Sequence, residues 1–305
     1  MEIRRRLTTE GTLVVETRPF QDSPWLPSDS KNALGYEPAF SQEWEAERAA
    51  AHHVGENGEV LPFQPLSFRD FMFYEQHNID AARGYIGRFR PQAAKVIKGF
   101  ETLTRSTFPR FRPNRLWYRQ PTYYMGNMAT IVPSGTPVTA PPFSRALDYE
   151  LELGFVLNAP LLNARPAEAE EAIGMFVLLC DFSARDVQIP EMNSGFGPQK
   201  SKHFLTSLAT TAVTAADLLP RWRELKSRVI INGEVVARPD ARKPQWTMGQ
   251  ALAHASAGEQ LYPGELFAIG TLHRGCGMEI GRWLKPGDQL RLEMDDVGVI
   301  EHAIH

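Results

Sequence analysis

The chain has 305 residues, with 33 Lys and Arg against 36 Asp and Glu, for a formal net charge of -3. Those charges are spread along the sequence rather than gathered in blocks, which argues against a nucleic-acid surface. Two cysteines, Cys180 and Cys276, are too few for a disulfide framework or a structural zinc site and fit a reducing compartment. With no apolar run behind the Arg-rich start and none long enough to span a bilayer, the expectation is a cytoplasmic protein with no membrane partner.

Residues 2–18 read as two strands around the turn Glu10-Gly11. A Pro- and Ser-rich passage follows to Glu37, then an Ala- and Glu-rich helix from Ser41 through His53, and a linker from Gly55 to Pro65. Residues 1–65 are therefore expected to form a small α+β module, and residues 66–305 a larger domain. From Phe68 the apolar residues take an approximately helical spacing through Ile86, with strand-like alternation over 68–74 as the competing reading, until Pro91 interrupts.

Beyond Arg115 the chain reads as strand-rich, with few helices: Pro166 to Leu178, Thr214 to Leu219 and Thr247 to Ser256. The run from Arg228 to Val236 carries Asn232-Gly233 at its centre, a pair that tolerates the positive φ values of a type I′ hairpin turn. Two more strands are expected at Gln289 to Met294 and Val299 to Ile304. The fold class is thus mainly β with peripheral helices.

The segment Leu147-Asp-Tyr-Glu-Leu-Glu-Leu153 alternates without a break, so a strand there puts Asp148, Glu150 and Glu152 on one face. Side by side, three carboxylates repel, and a cation that prefers oxygen would relieve them; a solvated strand face is the other reading. A second acidic site closes the apolar run that begins at Val177, a helix or strand ending in Asp181 and followed by Arg185, Asp186 and Gln188. A cleft mouth and a capped element with a surface ion pair both account for it.

Glu150 and Glu152, followed about thirty residues later by Asp181-Phe-Ser-Ala-Arg-Asp-Val-Gln188, resemble the metal and active-site signature of the fumarylacetoacetate hydrolase family. Further stretches agree in order: Tyr124 to Pro137, Gly197-Pro-Gln-Lys-Ser-Lys202, Gly270-Thr271, Gly275 to Gly281 and Leu284 to Asp288. The resemblance runs from about Ser67 to the C-terminus. It implies a mixed β-sandwich rolled into a partly open barrel, preceded by the smaller module, and a homodimer.

The same resemblance implies roles. Glu150, Glu152 and Asp181 would hold a metal, with Asp70 as a further ligand in the fumarylacetoacetase-like branch. Magnesium suits an all-oxygen set, with calcium or manganese as alternatives. His77 resembles the general base that takes a proton from water, oriented by Glu279 in one branch or by Asp80, three residues on, in another. Arg185, Gln188 and Lys202 would stabilise developing negative charge, Tyr124 would touch substrate and Thr271 would bind its carboxylate. The implied activity is hydrolysis of a carbon–carbon bond in a 1,3-dicarbonyl or acylpyruvate-type acid; decarboxylation or isomerisation of a 2-oxo acid uses the same site, and a non-catalytic small-molecule binding protein is a reading of another class. Met72 and the loop Thr271-Leu-His-Arg-Gly275 depart from the family pattern and leave the substrate open.

Overall fold

The computed structural model describes residues 1–305 except Phe20, His53, Glu56, Asn57 and Asp217. The end of the expected helix at His53, two positions of the expected 55–65 linker and the middle of the expected 214–219 helix therefore lie outside the described residues. The N-terminal hairpin is β1 (Glu2–Leu7) and β2 (Leu13–Arg18), followed by β3 (Leu26–Ser28), α1 (Ser30–Leu34) and α2 (Gln42–Ala51). Ser41 caps α2, its side chain accepting from the Trp44 amide. Next come β4 (Phe68–Phe71), α3 (Glu75–Phe89) and α4 (Pro91–Thr104). Strand and helix readings of 68–86 are thus both right, in succession.

Short strands β5 (Tyr123–Met125), β6 (Ile131–Pro133) and β7 (Leu147–Asp148) lead to the long β8 (Leu151–Leu157). After α5 (Pro166–Glu171) the chain runs through β9 (Ile173–Asp181), β10 (Ser183–Ala184), α6 (Arg185–Asn193) and β11 (Thr206–Thr214). It closes with β12 (Ser227–Ile231), β13 (Glu234–Ala237), α7 (Met248–Ala255), β14 (Leu266–Ala268), α8 (Gly277–Ile280), β15 (Gln289–Met294) and β16 (Gly298–Ala303). The expected helix from Pro166 to Leu178 is therefore corrected: it stops at Glu171, and Ile173 onward is strand.

Ten strands make one mixed sheet in the order β3-β2-β1-β11-β9-β8-β14-β4-β5, with β6 also pairing β11. A four-stranded sheet, β13-β12-β15-β16, holds the C-terminal part. Asn232 and Gly233, at φ 54° and 81°, turn β12 into β13 as their sequence demands. All seven residues of β8 are buried, and of β9 all but Gly174, because each is covered on both faces. These two strands and β4 carry Glu152, Asp181 and Asp70.

Candidate active site

Strand pairing sets the acids. Asp70 lies on β4 opposite Ala268 of β14 and Tyr124 of β5, Glu152 on β8 opposite Leu179, and Asp181 ends β9 opposite Thr206. Glu150 sits in the break between β7 and β8, where it bridges to Cys276. Asp70, Glu150 and Glu152 line a cavity of about 630 Å³ together with His77, Lys202 and Thr271. Asp181 lies behind it, fully buried.

The hydrogen bonding divides these acids into two kinds. Asp181 is saturated: Oδ1 accepts from Thr206 Oγ1 at 3.1 Å, and Oδ2 from Tyr124 OH and Lys202 Nζ, each at 2.6 Å. Glu150 is paired with the Lys202 ammonium and lies 2.7 Å from Arg185 Nη2. Burial alone would raise the Glu150 carboxyl, but Arg185, Lys202 and His77 outweigh it and hold it below the usual range. Burial likewise works against the Lys202 ammonium, and Asp181 and Glu150 overcome it.

Asp70 and Glu152 are different. Asp70 Oδ1 and Glu152 Oε2 are buried with no hydrogen-bond partner, while Glu152 Oε1 accepts from Thr271 Oγ1 at 3.1 Å. Burial pushes both carboxyls well up, and the neighbouring acids add to it. Two orphaned carboxylate oxygens beside acids that the Lys202 ammonium already meets fit a hard divalent cation, which would let both groups ionise.

Asp148 stands apart from the other two acids of its segment. Because the strand breaks at Tyr149 and Glu150, the expected row of three on one face is not kept. Asp148 Oδ1 accepts from the Gly277 amide at 2.9 Å, and Oδ2 from the Met278 amide at 3.0 Å and Arg185 Nε at 2.8 Å. Arg185 also donates to Gln188 Oε1 at 2.9 Å, so it braces the pocket wall from behind while itself only 2% exposed.

His77 comes from the first turn of α3 and Glu279 from α8. The helices approach closely because Gly84 has no side chain: a Cβ there would run into the Met278 carbonyl. His77 Nδ1 stands 3.1 Å from Glu279 Oε2, and both side chains are buried. Asp80 has other partners: His273 Nε2 at 2.9 Å, Arg83 at 2.7 Å and Gln76 at 2.8 Å. Of the two carboxylates the sequence offers to His77, Glu279 is the one that faces it.

The family profile described as the fumarylacetoacetate (FAA) hydrolase C-terminal domain matches residues 101–305. The chain belongs to the fumarylacetoacetate hydrolase family. Among relatives, it is 26% identical over 190 residues to a mitochondrial oxaloacetate tautomerase of Xenopus laevis, covering 61% of this chain and 58% of that one. Against a fumarylacetoacetase of Oryza sativa subsp. japonica it is 27% identical over 223 residues, 56% of this chain and 52% of the other. The chain thus spans little more than half the length of either. In fold it is similar to a 5-carboxymethyl-2-hydroxymuconate delta-isomerase from Mycobacterium smegmatis, with TM-score 0.64 and 16% identity over 100% of this chain and 99% of that one.

Around this family's acidic cluster the cavity gathers residues that sequence reading passed over. His203 Nε2–H donates to the Met125 carbonyl at 2.8 Å, and Phe196, 83% exposed, projects from the loop 195–199 that lines the cavity. Gly195 and Gly197 flank it at φ 89° and 77°, a local signal of a tight loop. Gln188, Tyr124 and Thr271 all line the cavity; Arg185 does not. No helix among the described residues is long and apolar enough to cross a membrane.

Proposed function

We propose that the cavity cleaves a carbon–carbon bond in a small 1,3-dicarbonyl or acylpyruvate-type acid by water that His77 activates. One observation carries the reading: a buried imidazole faced by a buried carboxylate, Glu279, at the wall of a cavity floored by acids with unsatisfied oxygens. Asp70 and Glu152, each with a free oxygen, would hold the cation, and Glu150 and Asp181 would join them only as Lys202 releases their oxygens; magnesium is preferred, with calcium or manganese otherwise. When bound, it supplies Lewis-acid polarisation of a substrate carbonyl.

The protein's own groups do the rest. His77 presents Nδ1 to Glu279, leaving Nε2 to take the proton from water, and Glu279 stabilises the imidazolium that results. As the carbon–carbon bond breaks, Lys202 and Gln188 stabilise the enolate. Arg185 is fully engaged with Asp148, Glu150 and Gln188, so its part is to hold those two cavity residues in place. Tyr124 and Thr271 contact the substrate, Thr271 through its carboxylate. Every residue lining the cavity lies at or beyond Asp70, so the chemistry falls in residues 66–305, while residues 1–65 join the same sheet through β1 against β11. The protein works as a cytoplasmic homodimer in this reading, its two thiols reduced; light scattering of the purified protein tests the dimer.

A second reading is loss of carbon dioxide from a 2-oxo acid or proton transfer within one, and the proton transfer draws support from the relatives named as oxaloacetate tautomerases. In it His77 moves a proton between carbon and oxygen, and no water is consumed. Incubation with magnesium and acylpyruvates, fumarylpyruvate, fumarylacetoacetate and oxaloacetate in oxygen-18 water separates the two. Label in a carboxylic acid product is expected; turnover without label would overturn hydrolysis in favour of the second reading.

A further inference from the structure

We propose that His77, Cys276 and Glu279 form a second metal site, separate from the carboxylate cluster, which takes zinc or a similarly thiophilic divalent cation and silences the cavity by capturing the imidazole. Only the silencing rests on the reading of His77 as base; the site itself does not.

The ligand atoms are already spaced for it. His77 Nδ1, Cys276 Sγ and a Glu279 carboxylate oxygen lie within 4.8 Å of one another. Nδ1 is 3.1 Å and Sγ 3.4 Å from Glu279 Oε2. A tetrahedral zinc with bonds of about 2.0 Å to nitrogen and oxygen and about 2.3 Å to sulfur separates N from O by about 3.3 Å and S from O by about 3.5 Å. The two edges to Glu279 therefore match within a few tenths of an ångström, and the third, Nδ1 to Sγ, lies within 4.8 Å against about 3.5 Å in such a complex.

A second observation points to a ligand. Although Nδ1 is within reach of Glu279, it makes no hydrogen bond, so a polar atom of a residue only 8% exposed is left without one. An Nδ1–H and a carboxylate that lie close without being aligned leave room for a cation between them, which Nδ1 can ligate once its proton has moved to Nε2, the atom that would otherwise act as base. Cys276 is fully buried, and its Sγ–H donates to Glu279. Binding would release that thiol proton to solvent and leave the thiolate as ligand.

The donor type separates this site from the acids. Sulfur and imidazole nitrogen select zinc or cadmium, whereas the all-oxygen set selects magnesium. An approach exists as well: Asp80, His273 and Glu279 form another set within 4.8 Å, and the Asp80 and His273 side chains are 24% and 29% exposed. Glu279 belongs to both sets, so an ion held first at the outer one is handed inward.

Cadmium is the probe, because its thiolate complexes absorb in the ultraviolet and its carboxylate complexes do not. Titrating the intact protein should raise one thiolate-to-cadmium band that saturates at one equivalent. Cys276→Ser should lose the band, Cys180→Ser should keep it, and His77→Asn, which retains the thiol, should need at least tenfold more cadmium. In magnesium-supported assays, zinc should lower wild-type turnover at least tenfold, and Cys276→Ser should require at least tenfold more zinc for the same fractional loss. No band in the wild type, or an equal band in a folded Cys276→Ser protein, overturns the site. A Cys276-dependent band with turnover untouched overturns the silencing, and with it the role given to His77, while the site stands.

Discussion

Asp148 and Glu152 belong to one short segment, and both are buried, at 0% and 1% exposure. Yet Asp148 accepts three N–H donors and has no oxygen free, while Glu152 keeps one oxygen without any. Burial raises the Asp148 carboxyl too, but Arg185 opposes it, and with every contact coming from a donor there is no acceptor for a proton there, so it is anionic and structural. Glu152, like Asp70, is held in a place where its charge is unwelcome until something arrives to meet it. A buried acid whose partners are complete stabilises the fold; one whose partners are missing is kept for a ligand or a reaction.

The largest effect expected is on the incomplete side. His77→Ala should lower turnover by about 10²–10⁴-fold, the usual contribution of a general base, with magnesium affinity by calorimetry nearly unchanged. An active His77→Ala enzyme would remove the proposed mechanism.

The comparison itself is sharpest in a pair of variants. Asp148→Asn places an N–H donor against donors and strips Arg185 of a counter-charge, which should destabilise the protein by about 3–5 kcal/mol in urea unfolding. Glu152→Gln removes a charge that only the Thr271 hydroxyl meets, so without added metal it should cost less than about 1 kcal/mol or even stabilise, while abolishing metal-dependent activity. Equal losses of stability in the two would erase the distinction drawn between them.

His302 extends the satisfied class to a base. Its Nδ1 lies 2.7 Å from the Thr136 carbonyl and Nε2 2.7 Å from Ser207 Oγ, so Nδ1–H donates and the neutral ring is complete. Burial lowers its pKa from 6.5 to about 4, the Thr136 hydrogen bond opposing only in part. A folded-state value below the unfolded one means that the stabilisation is complete above about pH 6.5 and fades as the pH falls through that value toward 4. The loss is about 3 kcal/mol at its limit. The difference in unfolding free energy between wild type and His302→Asn should therefore shrink from pH 7.5 to pH 4; a constant difference would exclude His302 as its source.

Gly84→Ala probes how the two classes are held in register. In an open helix this change gains up to about 1 kcal/mol, but here the new Cβ meets the Met278 carbonyl. A net destabilisation of about 1–3 kcal/mol is expected, with turnover falling as α8 is pushed from α3 and Glu279 from His77. A more stable, fully active variant would show that the helix contact does not set the distance between them.

How much of this the sequence discloses follows the same division. Asn232-Gly233 and the closing strands are legible because local backbone chemistry decides them. The acids are legible as motifs, but which are complete is not, since the Gly277 and Met278 amides and Arg185 reach Asp148 from elsewhere in the chain. Ile173–Asp181 reads equally as helix or strand because a strand covered on both faces has no alternation to show. Helix α4 escapes for another reason: Ala93, Val96, Ile97, Phe100 and Leu103 do stand at helical spacing, but Pro91 reads as a stop when it is the first residue of this helix, where proline is favoured. The choice between Glu279 and Asp80 as the partner of His77 depends on the packing of α3 on α8, which spacing along one helix cannot express.

Asp80→Asn has the smallest expected effect and tests that choice directly. Asp80 sits near His77 in sequence, but its carboxylate is engaged by His273, Arg83 and Gln76, and these bonds together with His273 hold its pKa down near 2 against burial. It is part-exposed, so losing its charge should cost less than about 1 kcal/mol of stability. Because His273 rather than His77 loses a partner, kcat should change by only a few-fold, and the acid limb of its pH profile should stay in place. Glu279→Gln, by contrast, should lower kcat by at least about tenfold, since the imidazolium then forms without a facing negative charge. If the two variants changed places, with Asp80→Asn the more damaging, Asp80 would be the carboxylate that orients the base, and the α3–α8 contact would be a matter of packing alone.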